Sequence, residues 1–329
     1  MSNEDEDANE FTRALQLNSG TILGMVMKAA ILLDLFEIMA KAASVSGTSP
    51  FGDDAKNLSS DDIVAHLPTQ NPAATAMLER ILRFLAANSI LIRTVVAGKD
   101  GEEKSLYSLA SICKNYIVDE DGVSLAPLLV LFHDKVIIDS LYQLKDALFE
   151  GGIPFNRAHE GMHAFEYPAK DDRFNDVFLI KQWATLAKIL AKYPQIRGIN
   201  FDLPHVIRNA APLSGVDHVG GSVPKGEWIL HDWSDEHCLK LLNNCCNALP
   251  EFGKVVIVES VVPDFTNAGC SSKLSNVMDY DMAMLAINPG GKERSLKELE
   301  ALVKQSGFAA IQLICNAAVY SVLEFHKKV

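Results

Sequence analysis

The sequence predicts an α/β protein in two parts: an all-helical, winged-helix-like domain over residues 1–112 and a doubly wound α/β domain over 113–329. Three observations predict it. The first third carries apolar residues at helical spacing and closes on two short β-like runs. The second half alternates helix-periodic segments with short apolar strands, the clearest being Lys254–Ser260 (KVVIVES). Between them, His231 falls after a short apolar strand and before a capped helix, at the carboxyl end of a strand where open α/β sheets place their sites.

Composition narrows the function. The chain has 329 residues, 48% of them apolar, enough to bury two cores, with disorder expected only at the acidic start, Ser2 to Glu10. A net charge of −12 argues against nucleic acid as a partner. The first ten residues lack the basic stretch of a secretory signal. The longest apolar stretch, Thr21 to Ala43, contains Lys28, Asp34, Glu37 and Lys41, which suits a buried or dimer-facing helix and not a membrane span. Six cysteines (113, 238, 245, 246, 270, 315) have neither zinc-ligand nor C-x-x-C spacing; they read as reduced core residues of a cytosolic protein.

In the first domain, Ser59 and Ser60 cap a short helix through His66. Asn71-Pro72 opens a longer one carrying Met77, Leu78, Ile81, Leu82 and Leu85. The runs Ile90–Val96 and Ser105–Leu109 make a hairpin across Gly98 and Asp100-Gly101. Helix, helix, wing is a pattern that often binds DNA, but the second helix offers only Arg80 and Arg83, so dimerisation is expected instead.

A helix-like region spans Ser124 to Phe149 and ends at Gly151-Gly152. The stretch Phe155–Phe178 is aromatic-rich and irregular, either packing or a pocket wall. Ala184–Lys192 is helical, Gly198–Leu203 and Val216–Val219 are strands, and Ser234 caps a helix to Leu249. Ser295 and Glu298 form a capping box for a helix ending at Gly307, followed by strands Ala310–Cys315 and Ala318–Phe325.

Beside a site at a strand's carboxyl end, the residues around His231 admit two plainer readings. One is a metal site with His237 and Asp235 or Glu236, but a six-residue gap does not stack two ligands on one helix face. A second is a structural histidine. Asp202, near the end of its strand, is either a helix cap or a carboxylate for ribose hydroxyls.

Several long runs bear on the choice: ILHDWSDEHCLKLLNNCCNALP, GKVVIVES, MLAINPGGKERS, FDLPHVI, DGVSLAPLL and GGIPFNRAHEGMHAFEYPAKDDRFNDVF. With these the chain resembles the plant caffeate and flavonoid O-methyltransferases over nearly its whole length. The resemblance implies a Rossmann-like methyltransferase domain behind a dimerisation domain, with S-adenosylmethionine as methyl donor. It implies that His231 is the general base, flanked by Glu259 and Glu293, and that Asp202 binds the donor. It implies a phenol pocket drawing on Leu131, Phe132, Ala164, Phe174, Phe178, Met284 and Asn288, a homodimer, and no metal. A catechol hydroxyl has a pKa of roughly 10, so a base is needed to make it a nucleophile.

The sequence also departs from that family. The first strand and its Gly-rich turn are missing: Leu179-Ile-Lys-Gln-Trp183 runs straight into the helix that should follow the turn. Gly220-Gly221 leads directly to Ser222-Val-Pro-Lys225 where an adenine-binding motif is expected, and Gly226-Glu227 joins at once to Trp228. An incomplete sheet and impaired donor binding follow, and a skipped exon accounts for both junctions better than adaptation. The expected function is O-methylation of a phenylpropanoid or flavonoid hydroxyl. The alternative is a non-catalytic, dimerising isoform that binds phenolics or full-length partners.

Overall fold

A computed structural model describes residues 3–52, 55–97, 103–120, 122–178, 183–202, 204–208, 212, 214–221, 229–263 and 272–328. The chain divides into two compact units, Met1–Asp134 and Lys135–Val329.

The first unit opens with helix α1 (Asn3–Asn18), where the acidic start was expected to be disordered; Ala8, Ala14 and flanking Glu, Leu and Gln are good helix formers. Helices α2 (Gly20–Leu32) and α3 (Leu35–Val45) follow, broken at Asp34, whose φ of 54° is left-handed. Then come α4 (Ser60–Val64), α5 (Ala74–Ala87) and the hairpin β1 (Leu91–Ala97) and β2 (Glu103–Leu109). The α4 turn carries a capping box between Ser59 and Asp62. Leu35, Phe36, Met39, Ile63, Leu82, Leu85, Tyr107 and Leu109 form one buried cluster. The expected boundary at 112/113 lies inside this unit. Cys113 belongs to its core, and Leu129, on α6 (Ala126–Phe132), packs against it. Lys28 ties off the end of the unit, reaching the carbonyl of His133 at 2.9 Å and the carboxylate of Asp134 at 3.3 Å. Among the described residues no single helix is long and apolar enough to cross a membrane.

The second unit begins with α7 (Lys135–Tyr142), α8 (Leu144–Glu150) and α9 (Pro154–Ala158). The single helical region expected over 124–149 is therefore three helices, interrupted at His133-Asp134 and at Gln143. The stretch expected to be irregular holds α9 and α10 (Asp172–Phe178). Next are α11 (Trp183–Lys192), β3 (Gly198–Asp202), α12 (Pro204–Arg208) and β4 (Val216–Gly220), with β3 and β4 parallel. Helix α13 (Asp235–Ala248) leads to β5 (Lys254–Val262), then α14 (Ser272–Ile287), β6 (Arg294–Ser295), α15 (Leu296–Gln305), β7 (Ala310–Ala317) and β8 (Tyr320–His326).

Among the described residues these strands make two separate sheets, a β3-β4 pair and a four-stranded β6-β5-β8-β7 sheet. β5 runs antiparallel to β8 over its length and parallel to β6 only at Val261 and Val262. Its VVIV centre, expected to be buried on both faces, leaves Val256 54% exposed. Under the other face, α13 and α15 bury Leu242, Leu299, Leu302 and Val303 with Leu323 and Phe325. Of the cysteines expected in the core, Cys113, Cys238 and Cys246 are buried, Cys245 is half-buried and Cys315 is exposed, while Cys270 lies outside the described residues. Cys315 follows a bulge at Leu313 in edge strand β7, where one face of the sheet meets solvent.

Candidate active site

Glu259 is positioned by β5. Its carboxylate is 5% exposed and holds two groups at once. Oε1 accepts the backbone N–H of Leu230 at 2.9 Å, and Oε2 lies 2.7 Å from His231 Nδ1. One carboxylate thus sets both the height and the tilt of the imidazole, with Nδ1–H donating to the acid. His231 itself sits in a tight turn, Leu230–Asp232, at the foot of α13.

The turn is clamped from the other side by the loop before α15. Lys292 donates its backbone N–H to the His231 carbonyl at 2.9 Å. A Cβ on Gly291 would lie 2.7 Å from that same carbonyl, so only glycine allows this approach. Arg294, 3% exposed, donates to the carbonyls of Leu230 and Trp233 and to Asp235 Oδ1, the last at 2.7 and 2.9 Å. The sequence reading missed this arginine. A charged residue one place after a candidate acid was the available signal.

Glu293, 7% exposed, has its backbone N–H bonded to Asp281 Oδ1 at 2.9 Å. One ligand-type atom each from His231, Glu259 and Glu293 falls within 4.8 Å of the others. The three residues named from sequence for the base and its flanking acids therefore come together, although they are separated by 28 and 34 positions.

Asp232, not singled out from sequence, is the fourth ionisable member, with Oδ1 3.6 Å from His231 Nε2. Asn288 donates its side-chain amide to that oxygen at 2.6 Å and also touches the Met284 sulfur at 3.5 Å. Of the expected pocket residues, Asn288 thus connects to the histidine through Asp232, and Met284 only through Asn288. Ala164 and Phe174 are fully buried; Phe174 packs edge-on to Tyr167 with ring centroids 5.7 Å apart, within an aromatic cluster that includes Phe155 and His159. Leu131 and Phe132 belong to the first unit. Of Phe178 and Asp202 only the backbone is described: Phe178 ends α10, and Asp202 ends β3 opposite Gly220. The junctions expected at Leu179–Gln182 and Ser222–Trp228 lie outside the described residues. Ser234 precedes α13 but its hydroxyl meets His237 Nδ1 at 2.9 Å instead of capping the helix.

The electrostatics follow from crowding four ionisable groups away from water. Burial lowers the His231 pKa, but the Glu259 hydrogen bond and the charges of Glu259, Asp232 and Glu293 outweigh it, for a net rise to about 9. Burial pushes Asp232 up to about 6, and burial with neighbouring carboxylates pushes Glu293 up to about 7. A cation flanked by reluctant acids is an arrangement that receives and holds a proton.

Comparisons with known proteins identify the family. Residues 182–309 match the O-methyltransferase domain and residues 15–119 the O-methyltransferase dimerisation domain. The chain is 47% identical to a caffeic acid 3-O-methyltransferase of Eucalyptus gunnii, over 98% of this chain and 95% of that protein. It is 46% identical to caffeic acid 3-O-methyltransferase 3 of Populus kitakamiensis, over 98% and 96%. The Eucalyptus alignment extends over 363 positions, whereas 98% of 329 residues is about 322, so about 41 aligned positions carry no residue of this chain. Human N-acetylserotonin methyltransferase, solved with SAM, has the same fold at a TM-score of 0.75 and 17% identity, each chain covered completely. CalO1, a methyltransferase of calicheamicin biosynthesis, superposes at 0.70 with 19% identity over 99% of both chains. The two matched domains cover more than half of the chain and the relatives span almost all of it: this protein belongs to the O-methyltransferase family.

Proposed function

We propose that this fold methylates a phenolic hydroxyl of a phenylpropanoid or flavonoid, caffeate-like in class, with His231 as general base and S-adenosylmethionine as donor. The observation that carries the reading is the 2.7 Å contact between His231 Nδ1 and Glu259. It leaves Nε2 as the nitrogen that takes the phenolic proton. With the imidazole at about 9 and a phenol at roughly 10, transfer to the neutral imidazole is nearly balanced, and turnover is expected to rise with pH as that form replaces the imidazolium. Glu259 then stabilises the imidazolium, and the neighbouring acids Asp232 and Glu293 add to the attraction. Met284 and Asn288 are proposed to border the ring of the acceptor, with Leu131, Phe132, Ala164, Phe174 and Phe178 as further pocket residues. A homodimer through the first unit is part of the reading.

The donor supplies an electrophilic methyl group when bound. The residues present fit it only in part. Asp202 stands at the end of β3, but the sequence offers no glycine between Met162 and Gly198 to bring backbone close to it. Our reading is therefore that this chain is impaired in donor binding. Two observations support it: among the described residues β3-β4 and β5 lie in separate sheets, and about 41 aligned positions of the Eucalyptus relative have no counterpart here.

Calorimetric titration with S-adenosylmethionine tests the reading, comparing this chain with a version that has the two missing segments restored. Micromolar binding is expected only for the restored version, in which His231→Ala lowers turnover by roughly 100-fold. Micromolar binding by the chain itself overturns the impairment; unchanged turnover in the variant overturns the base. An alternative role, capture of full-length partners in mixed dimers, is favoured by the first unit, whose core closes without the second.

A further inference from the structure

We propose that the outer edge of β7 pairs with the same strand of a second copy of this chain, a contact separate from the one through the first unit. Three observations meet on this strand. Among the described residues the four-stranded sheet ends at β7, and β8 is its one strand neighbour. Gln312 to Ala317 are six consecutive exposed residues, so neither face of the strand is covered beyond Ile311, which packs on the core. Residues 305–323 carry no Asp, Glu, Lys, Arg or His, the longest such run in the chain.

The chemistry of an edge decides what covers it. A strand edge presents backbone N–H and C=O groups in a row, and another strand edge is what matches that row. Native edges are commonly blunted by charge, by proline or by a bulge. β7 has neither charge nor proline, and its bulge lies where the register with β8 passes over Ile314. The bulge shortens the contact without closing it. Ala310–Leu313 and Cys315–Ala317 keep their pairing with β8 on either side, so their outer groups stay in strand geometry.

Charge then selects the partner. The chain carries a net −12, so two copies repel over most of their surface and approach at least cost where neither presents a charge. The strand is also its own complement. A two-fold axis lays β7 antiparallel against β7, and each copy gives the bonds that it receives. Leu313 and Ile314, 45% and 46% exposed, lie in the middle of that edge and lose water on pairing.

A short edge without a buried core makes the weaker of the two contacts, acting above the micromolar range. Two different two-fold contacts on one chain do not close, so dimers held through their first units become linked into open chains. That consequence rests on the first-unit dimer; the β7 contact does not.

The test is sedimentation velocity of the full chain under reducing conditions, from micromolar to near-millimolar concentration. Species larger than the dimer are expected to grow with concentration. In Ile22→Asp combined with Met25→Asp, which removes the first-unit contact, monomer should pass to dimer over the same range. Leu313→Lys places like charges on facing strands and should weaken either association by about tenfold or more, with unchanged circular dichroism. If Leu313→Lys does not fold, Gln312→Lys, exposed and opposite Glu324, must show the same weakening. A parent that passes only from monomer to dimer, with Leu313→Lys abolishing the step, keeps the β7 contact and removes the first-unit dimer. An Ile22 and Met25 variant that stays monomeric at every concentration, or association that neither lysine alters, overturns the β7 contact.

Discussion

At the residue scale, the cluster around His231 ties protonation to folding. His231 rises from 6.5 to about 9, Asp232 from 3.8 to about 6 and Glu293 from 4.5 to about 7. For all three the folded state binds the proton more tightly than the unfolded chain. Their contribution to stability is therefore complete at low pH and is lost as pH rises through each folded value. Asp232 and Glu293 act between about pH 4 and 7, and His231 between 6.5 and about 9. Glu298 acts oppositely, with its pKa lowered to about 2, but its window closes below pH 5. The urea midpoint of the second unit is expected to fall from pH 5 to pH 9. Glu293→Gln should flatten the lower part of that slope, and a midpoint independent of pH in the parent would contradict the cluster's protonation.

Elements transmit this geometry. α15 begins where the Gly290–Ser295 loop finishes clamping the His231 turn, and its start is fixed by a reciprocal cap. Ser295 Oγ accepts the Glu298 N–H at 3.4 Å, and Glu298 Oε2 accepts the Ser295 N–H at 2.9 Å. Glu298 also binds Lys292 at 2.7 Å, joining the cap to the loop. Ser295→Ala is expected to cost about 1 kcal/mol, read as a lower urea midpoint with the far-ultraviolet spectrum retained. This capping box was legible in the sequence because its two residues are three apart. The break at Asp34 was not, because a single left-handed residue leaves no pattern in an apolar stretch. Nor was the missing side-chain cap at Ser234, whose hydroxyl goes to His237.

For the whole molecule, the first unit presents an apolar face that its own core does not cover. Ile22 is 51% exposed, Met25 45%, Leu32 64% and Met77 57%. With Thr21, Val26, Ala29 and Ile81, the first two line a shallow apolar groove between α2 and α5. Apolar area of this kind is normally covered by a partner. Light scattering at micromolar concentration is expected to report a dimer, and Ile22→Asp combined with Met25→Asp should yield monomer. A parent that is monomeric throughout contradicts the expectation.

What the sequence determined by itself was whatever depends on neighbours a few residues apart: the two-part organisation, most helices, the terminal strands and the family, carried by long unbroken motifs. Tertiary structure alone decided the rest, because contacts between residues distant in the chain leave no local trace. It placed the unit boundary at Asp134, where Lys28 reaches back across 105 residues to His133. It brought Asp232, Asp281 and Arg294 to the candidate site, and it buried Phe174 in an aromatic cluster. It left Val256 exposed in a strand whose sequence reads as fully buried. Burial depends on what covers a face, and among the described residues β5 has strands beside it but one face open to water.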